Sequence, residues 1–217
     1  MTVILAIAVL LVVGWFAAGT VWNVRKGSAV MKWMEGGLPR LGDRATVRWL
    51  GTTSVELGIA RAKLPFERVT LVIFLEPRDV PWLWGLGRLR GRRDMLIVRA
   101  QLRRAPESEL EVLDPTSWSS REPLRRIASE RWSIREPPVP GGLPAYYRTP
   151  AALAQGDALL ALASRAGLGV RRLALRQTEP HVQVHLDLPL LAAPAGDYFE
   201  ALRALGERVE RTRAAPG

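Results

Sequence analysis

Residues 3–22, VILAIAVLLVVGWFAAGTVW, form an apolar run without one charged side chain. As a helix rising 1.5 Å per residue it extends about 30 Å, the thickness of a bilayer's hydrocarbon core. No polar face exists along it, which argues against an amphipathic helix on a soluble core. Only Met1 and Thr2 precede the run, and it is longer than the apolar region of a cleavable signal peptide. A transmembrane anchor over residues 1–24 is therefore expected. Trp22 stands at its end, where an indole prefers the interface, and Arg25, Lys26 and Lys32 follow. Positive charge on that flank predicts a single-pass protein of the cell membrane with its C-terminal domain in the cytoplasm. Gly14 and Ala18 form a small-xxx-small pair of the kind that packs helix on helix, a pattern chance also produces.

Beyond the anchor the pattern changes. Residues 25–44 predict a juxtamembrane linker, because Gly27, Gly36, Gly37, Pro39 and Gly42 interrupt helical periodicity. Strand signals begin at residue 45. Ala45, Val47 and Trp49 alternate with polar positions, and Val55, Leu57 and Ile59 do so after a Gly-Thr-Thr turn, predicting a hairpin with one apolar face. Residues 69–75 are apolar on both faces except at Thr70, as in a strand covered on both sides. Residues 94–103 and 109–114 predict a second hairpin, with Ala100 facing Val112, Gln101 facing Glu111 and Leu102 facing Leu110. In residues 115–135, Leu124, Ile127 and Ala128 suit a short helix, whereas Trp132 and Ile134 suit a strand. The stretch 137–142, rich in Pro and Gly, separates this β-rich subregion (45–136) from a C-terminal one (143–213).

The C-terminal subregion predicts helix–strand–strand–helix. Thr149 and Pro150 mark a helix start, Leu153, Leu160 and Ala163 its buried face, and Gly167 its stop. Leu173 and Leu175 alternate in one strand; Val182, Val184, Leu186 and Leu188 alternate in the next. The apolar faces align only if odd pairs with even, so an even-length turn is expected near Thr178 and Glu179. Asp197 with Glu200 resembles a capping box for the last helix, whose buried stripe is Leu202, Leu205 and Val209. The predicted class is α+β: one transmembrane helix, a mostly antiparallel β-rich subregion and an α-β-β-α unit. No internal repeat is visible.

Composition narrows the chemistry. Cysteine is absent, which removes disulfides, thiolate metal sites and a cysteine nucleophile. The net charge is +10, and only Lys26, Lys32 and Lys63 among 31 basic residues are lysine. Arg excess suits phosphate and carboxylate contacts through the guanidinium fork, although a bias in codon usage toward Arg and Ala yields the same composition. A tethered basic domain meets anionic headgroups first.

The most distinctive segment is residues 80–93, VPWLWGLGRLRGRR. Trp82 and Trp84 are interleaved with Arg88, Arg90, Arg92 and Arg93, so indoles can enter the headgroup boundary while guanidinium groups stay at phosphates. The competing reading packs both Trp into the core; a third offers them to a protein partner. The G-L-G-R-L-R-G spacing of residues 85–91 does not match a dinucleotide fingerprint or a P-loop. Arg172, Arg176, His181 and His185 share a polar strand face that suits an anion or acidic partner. The two His lie about 13 Å apart on an extended strand, too far to share a metal. Glu109 and Glu111 suit strand-face pairing, and Glu76 and Asp79 flank Arg78, where they can fix the Trp/Arg segment. No acid–base pair stands out, so no catalytic residue, cofactor or metal is expected.

These features predict an interaction, scaffold or regulatory subunit lying on the cytoplasmic leaflet. It would contact the membrane or a partner through Trp22, Arg25, Lys26, Trp82, Trp84 and the arginines of residues 88–93. A protein partner or a second copy is compatible with the same surface. The alternatives are an enzyme acting on a lipid or anionic substrate, which lacks a visible constellation, and a nucleic-acid-binding protein, which lacks a recognisable motif.

Overall fold

The computed structural model describes residues 1–137, 142–165, 169–188 and 194–214. Its first element is a single helix, α1 (Thr2–Glu35). Each of residues 1–18 is exposed, over about 27 Å of helix, and among them Trp15 touches the rest of the domain. From there one stripe is buried: Gly19, Asn23, Gly27, Val30 and Met34. The spacing of three and four residues puts all five on one helix face. This corrects the expectation that the glycines break the chain after residue 24. Gly27 stays helical because its missing side chain makes room for the Trp49 ring; a Cβ there would lie 3.1 Å from it. The helix ends only at Gly36 and Gly37, followed by the short α2 (Leu38–Leu41).

The remaining elements are β1 (Ala45–Trp49), β2 (Ser54–Ile59), β3 (Phe66–Phe74), α3 (Pro81–Leu89), β4 (Met95–Leu102), β5 (Leu110–Leu113), α4 (Arg121–Glu130), β6 (Ser133–Arg135), β7 (Ala145–Tyr147), α5 (Pro150–Arg165), β8 (Val170–Leu175), β9 (Val182–Asp187) and α6 (Ala195–Ala214). The class is α+β, as expected. All nine strands lie in one sheet of order β1-β2-β3-β4-β9-β8-β5-β7-β6, and every neighbouring pair is antiparallel. Strands of both expected subregions therefore share one sheet.

The first hairpin forms as expected, and its register sets Val47 opposite Leu57. The C-terminal hairpin pairs Leu173 with Val184 and Leu175 with Val182, odd with even, across a turn at residues 177–180. The expected hairpin of residues 94–103 with 109–114 does not form. Ala100 pairs with Val69 and Val182 instead, and Val112 pairs with Leu173 and Ala145. An alternating strand matches any other alternating strand equally well, so the apolar pattern left the choice open. Glu111 pairs with Ala174, which sets its carboxylate between Arg172 and Arg176 on the same face of β8. Opposite Gln101 it would lie between Arg99 and Arg103 in the same way, so charge does not separate the two pairings.

One sheet face, carrying Leu57, Leu71, Val98, Val184 and Leu173, is covered by α5, α6, α2 and the second half of α1. On α6 the stripe is Phe199, Leu202, Leu205 and Val209, all buried. The helix begins at Ala195, so Asp197 sits within its first turn rather than capping it. Trp33 of α1 stacks against Tyr198 and Phe199 at 6.1 and 6.2 Å between ring centroids. Burying Val30 and Met34 contributes about 1.5–3 kcal/mol each. The lower half of α1 is thus part of the core. Residues 115–135 resolve into both expected forms, with α4 burying Ile127 and β6 holding Ile134. The expected helix stop at Gly167 and most of the linker 137–142 lie outside the described residues.

Candidate functional site

The Trp/Arg segment folds as a helix. Pro81 occupies the first turn of α3, where its missing N–H costs nothing. The end is a Schellman stop: Gly91 has φ +77°, its N–H donates to the Arg88 carbonyl, and the Arg92 N–H donates to the Gly87 carbonyl. The turn requires glycine at residue 91, where φ is positive. Arg93 reinforces it, donating to the Arg88 and Arg92 carbonyls at 3.0 and 2.7 Å.

The helix has two unlike faces. Trp82, Leu83, Leu86 and Leu89 point outward and are exposed, Trp82 at 65% and Leu89 at 87%. Trp84 and Arg88, four residues apart, face inward. The indole N–H of Trp84 donates to Glu76 Oε2 at 2.7 Å, and Arg88 reaches the same oxygen at 3.4 Å while lying 5.8 Å from the Trp84 ring centre. The two tryptophans therefore divide between the readings expected for them: Trp82 is displayed and Trp84 is held. Arg92 lies over the Phe74 ring at 5.5 Å.

Behind α3 sits a polar hub that ties it to α1. Asp94, 4% exposed, accepts from the Glu76 amide at 2.7 Å, from both Arg78 terminal nitrogens at 3.0 and 2.7 Å, and from Lys26. Arg78 also donates to Glu76 and to the Asn23 side-chain oxygen. Burial pushes the Asp94 carboxyl up, but the bonds from Arg78, Lys26 and the Glu76 amide outweigh it and hold the group below the ordinary carboxylate range. Thr52 donates to Asp79 at 2.8 Å on the far side of the same loop. Glu76 and Asp79 thus fix the segment.

Contact between helix and loop is close. A Cβ on Gly19 would lie 2.3 Å from the Arg78 carbonyl oxygen, so only glycine fits. Four residues earlier, the Trp15 indole donates to that same carbonyl at 2.9 Å, and its ring lies 6.3 Å from Trp84. Between α1 and α3 remains a cleft of about 370 Å³, lined by Trp15, Ala18, Gly19 and Trp22 on one side and Arg78, Trp84 and Arg88 on the other. Its lining is mainly apolar.

The other expected residues have separate places. Trp22 and Arg25 are exposed on α1, whereas Lys26 is committed to Asp94. Arg90 is exposed just past α3. Arg172 and Arg176 both bond Glu111, which is fully buried and also meets Arg126 at 3.4 Å. His185 lies opposite Arg172 in the sheet register and pairs through Nε2 with Gln183 at 2.7 Å. Burial, then the charges of Arg172, Arg99 and Arg176, push the His185 imidazole down to about 3. His181 is bonded through Nδ1 to the Leu102 backbone, so the two imidazoles serve separate contacts. A smaller polar pocket of about 160 Å³ near Arg93 has both its carboxylates, Asp114 and Asp187, bound to Arg171.

Sequence reasoning did not find Trp15, Gly19, Asn23 or Asp94 as parts of this assembly. Trp15 and Gly19 lie inside an apolar run where nothing distinguishes them. Asn23 had one signal, an amide four residues from Gly19 on what proved to be the buried stripe. Compared with known proteins, the chain matches no family and no curated sequence.

Proposed function

We propose that the chain is a single-pass membrane protein whose domain rides on the cytoplasmic leaflet as an interaction or assembly subunit, with α3 lying in the headgroup boundary. The observation that carries this is the continuity of α1. The helix is long and apolar enough to cross a membrane, and it enters the domain core without a joint. The domain therefore cannot tumble on a tether; one face is always presented to the plane in which the helix leaves.

That face carries α3. The bare part of α1 is about 27 Å long, slightly less than a hydrocarbon core. A bilayer spanned by this helix reaches the level of Trp15 to Trp22, where α3 packs. Trp82, Leu83, Leu86 and Leu89 then enter the boundary, and Arg88, Arg90, Arg92 and Arg93 meet phosphates. Each basic residue near an anionic surface contributes about 1 kcal/mol. Arg25, Lys32 and these four arginines gather at one end of the apolar helix, which supports the cytoplasmic orientation by the positive-inside rule.

The chain lacks cysteine, so single cysteines can be labelled without background. Full-length protein carrying Leu83→Cys, Leu86→Cys or Arg104→Cys is labelled with an environment-sensitive dye and reconstituted into vesicles containing phosphatidylglycerol. Spin-labelled lipids should quench the dye at positions 83 and 86 and leave it bright at 104. Equal water exposure at all three positions overturns the reading.

A further inference from the structure

We infer that the cleft between α1 and α3 is a binding site for one anionic phospholipid, with Arg88 taking the phosphate and an acyl chain lying along Ala18 between Trp15 and Trp22. This rests on the membrane-apposed placement proposed above and adds a defined ligand to it.

The cleft has the form such a ligand requires. Its floor is made of the small residues Ala18 and Gly19, so the α1 surface is shallow there. Trp15 and Trp22 bound it along the helix, seven residues and about 10 Å apart. The long direction of the groove is the helix axis, which is also the direction of a lipid chain. Its volume, about 370 Å³, lies in the range of small-ligand sites. That holds a phosphate and the upper part of one chain, while the remainder continues along the bare face of α1.

The charge selects the headgroup. Three indoles at one cleft would by themselves suit a quaternary ammonium. The charged residues lining this cleft among those described are Arg78 and Arg88, and no carboxylate lines it. Two guanidinium groups repel a cationic headgroup that lacks a compensating carboxylate, and they attract a phosphate. Arg78 is nearly spent on Asp94 and Glu76, with 12% of its side chain exposed. Arg88 is different: its side chain is 54% exposed, anchored at one nitrogen by Glu76 and stacked near Trp84. A guanidinium positioned in this way presents its remaining donors without first being ordered, which suits bidentate phosphate contact. Glu76, 3% exposed behind it, orients Arg88 without facing the ligand.

The test uses full-length protein in nanodiscs made of phosphatidylcholine with a minor fraction of phosphatidylglycerol. Co-purifying lipid is counted by native mass spectrometry after gentle detergent release. One retained phosphatidylglycerol per chain is expected, in excess of its share in the disc. Arg88→Gln should reduce that retention about tenfold, the loss of one charge-assisted contact. Ala18→Phe, which fills the groove from an exposed helix face, should abolish it while the thermal unfolding midpoint stays unchanged. Equal retention of both lipids, or unaltered retention in both variants, overturns the site. A chain dimer in place of bound lipid overturns it too, because the groove then holds a second copy of the apolar helix. In each variant a dye at Leu83→Cys reports membrane depth. Quenching there with no bound lipid refutes the site alone, whereas no quenching refutes the underlying placement.

Discussion

Lys26 and Asp94 stand 68 positions apart in the chain and form a part-buried ion pair where the apolar helix enters the domain. Asp94 opens β4 at the centre of the sheet, and Lys26 lies one turn past the apolar run, so the pair fastens the helix to the sheet. Arg78 shares the carboxylate and carries the α3 loop with it. Helix, loop and sheet thus meet at one acidic group, and the orientation of α3 relative to α1 is set there.

Removing that acid should loosen the whole junction. Asp94→Asn leaves Lys26 and Arg78 without their shared counter-charge in a mostly buried place. The expected loss is about 1–3 kcal/mol, because Lys26 loses its partner while Arg78 keeps Glu76. Guanidinium unfolding of the full chain in micelles, followed by circular dichroism, measures it. A loss below about 1 kcal/mol would mean that the hub behaves like a surface pair.

Gly19 and Gly14 should respond oppositely to the same change. A Cβ at Gly19 meets the Arg78 carbonyl at 2.3 Å, whereas one at Gly14 meets nothing within 4 Å. Gly19→Val should cost about 1–3 kcal/mol by overpacking and separate Trp15 from Trp84. Gly14→Val should leave both stability and tryptophan emission unchanged. Equal behaviour of the two variants would deny the close approach of helix and loop.

Glu111, fully buried on the opposite sheet face, meets three arginines, Arg126, Arg172 and Arg176. Glu111→Gln preserves its shape and leaves Arg172, which is 5% exposed, without a counter-charge. A loss of about 3–5 kcal/mol is expected, and double substitution with Arg172→Met should recover part of it. Additive losses in that cycle would show that the two residues act independently.

His185 gives the domain an acid sensitivity with a defined window. Its folded pKa, about 3, lies below the ordinary value of 6.5, so the unfolded chain binds the proton more readily. Stability therefore rises with pH between those values, is complete above about 6.5 and declines as pH falls below it. From pH 7 to pH 5.5 the loss should be about 1 kcal/mol. Asp94 is held below the carboxylate range, so its contribution is lost at lower pH, outside the interval from pH 7 to 5.5. His185→Gln should flatten the dependence between pH 7 and 5.5; an unchanged slope would assign it elsewhere.

The local pattern was enough for whatever depends on neighbours in sequence. The apolar run of residues 3–22, the hairpin of residues 45–59 and the odd–even pairing of Leu173 with Val184 are all set by short-range periodicity. The start of α5 at Pro150 and the buried stripe of α6 follow from the same kind of signal. Glycine at residue 27 misled, because its role is to admit the Trp49 ring and no residue near it in the chain announces that ring.

Partner choice was decided only in three dimensions. Alternating apolar residues equip β4 to pair with β3, β5 or β9 alike, and what separates those choices is the fit of whole faces. The hub at Asp94 is of the same kind. Its members come from residues 23–26, 76–78 and 94, and a lone acid or amide in each segment has no meaning until the sheet brings them together. Residue type and spacing encode what a chain does with its neighbours, whereas the pairing of buried charges depends on distances that only the packed chain creates.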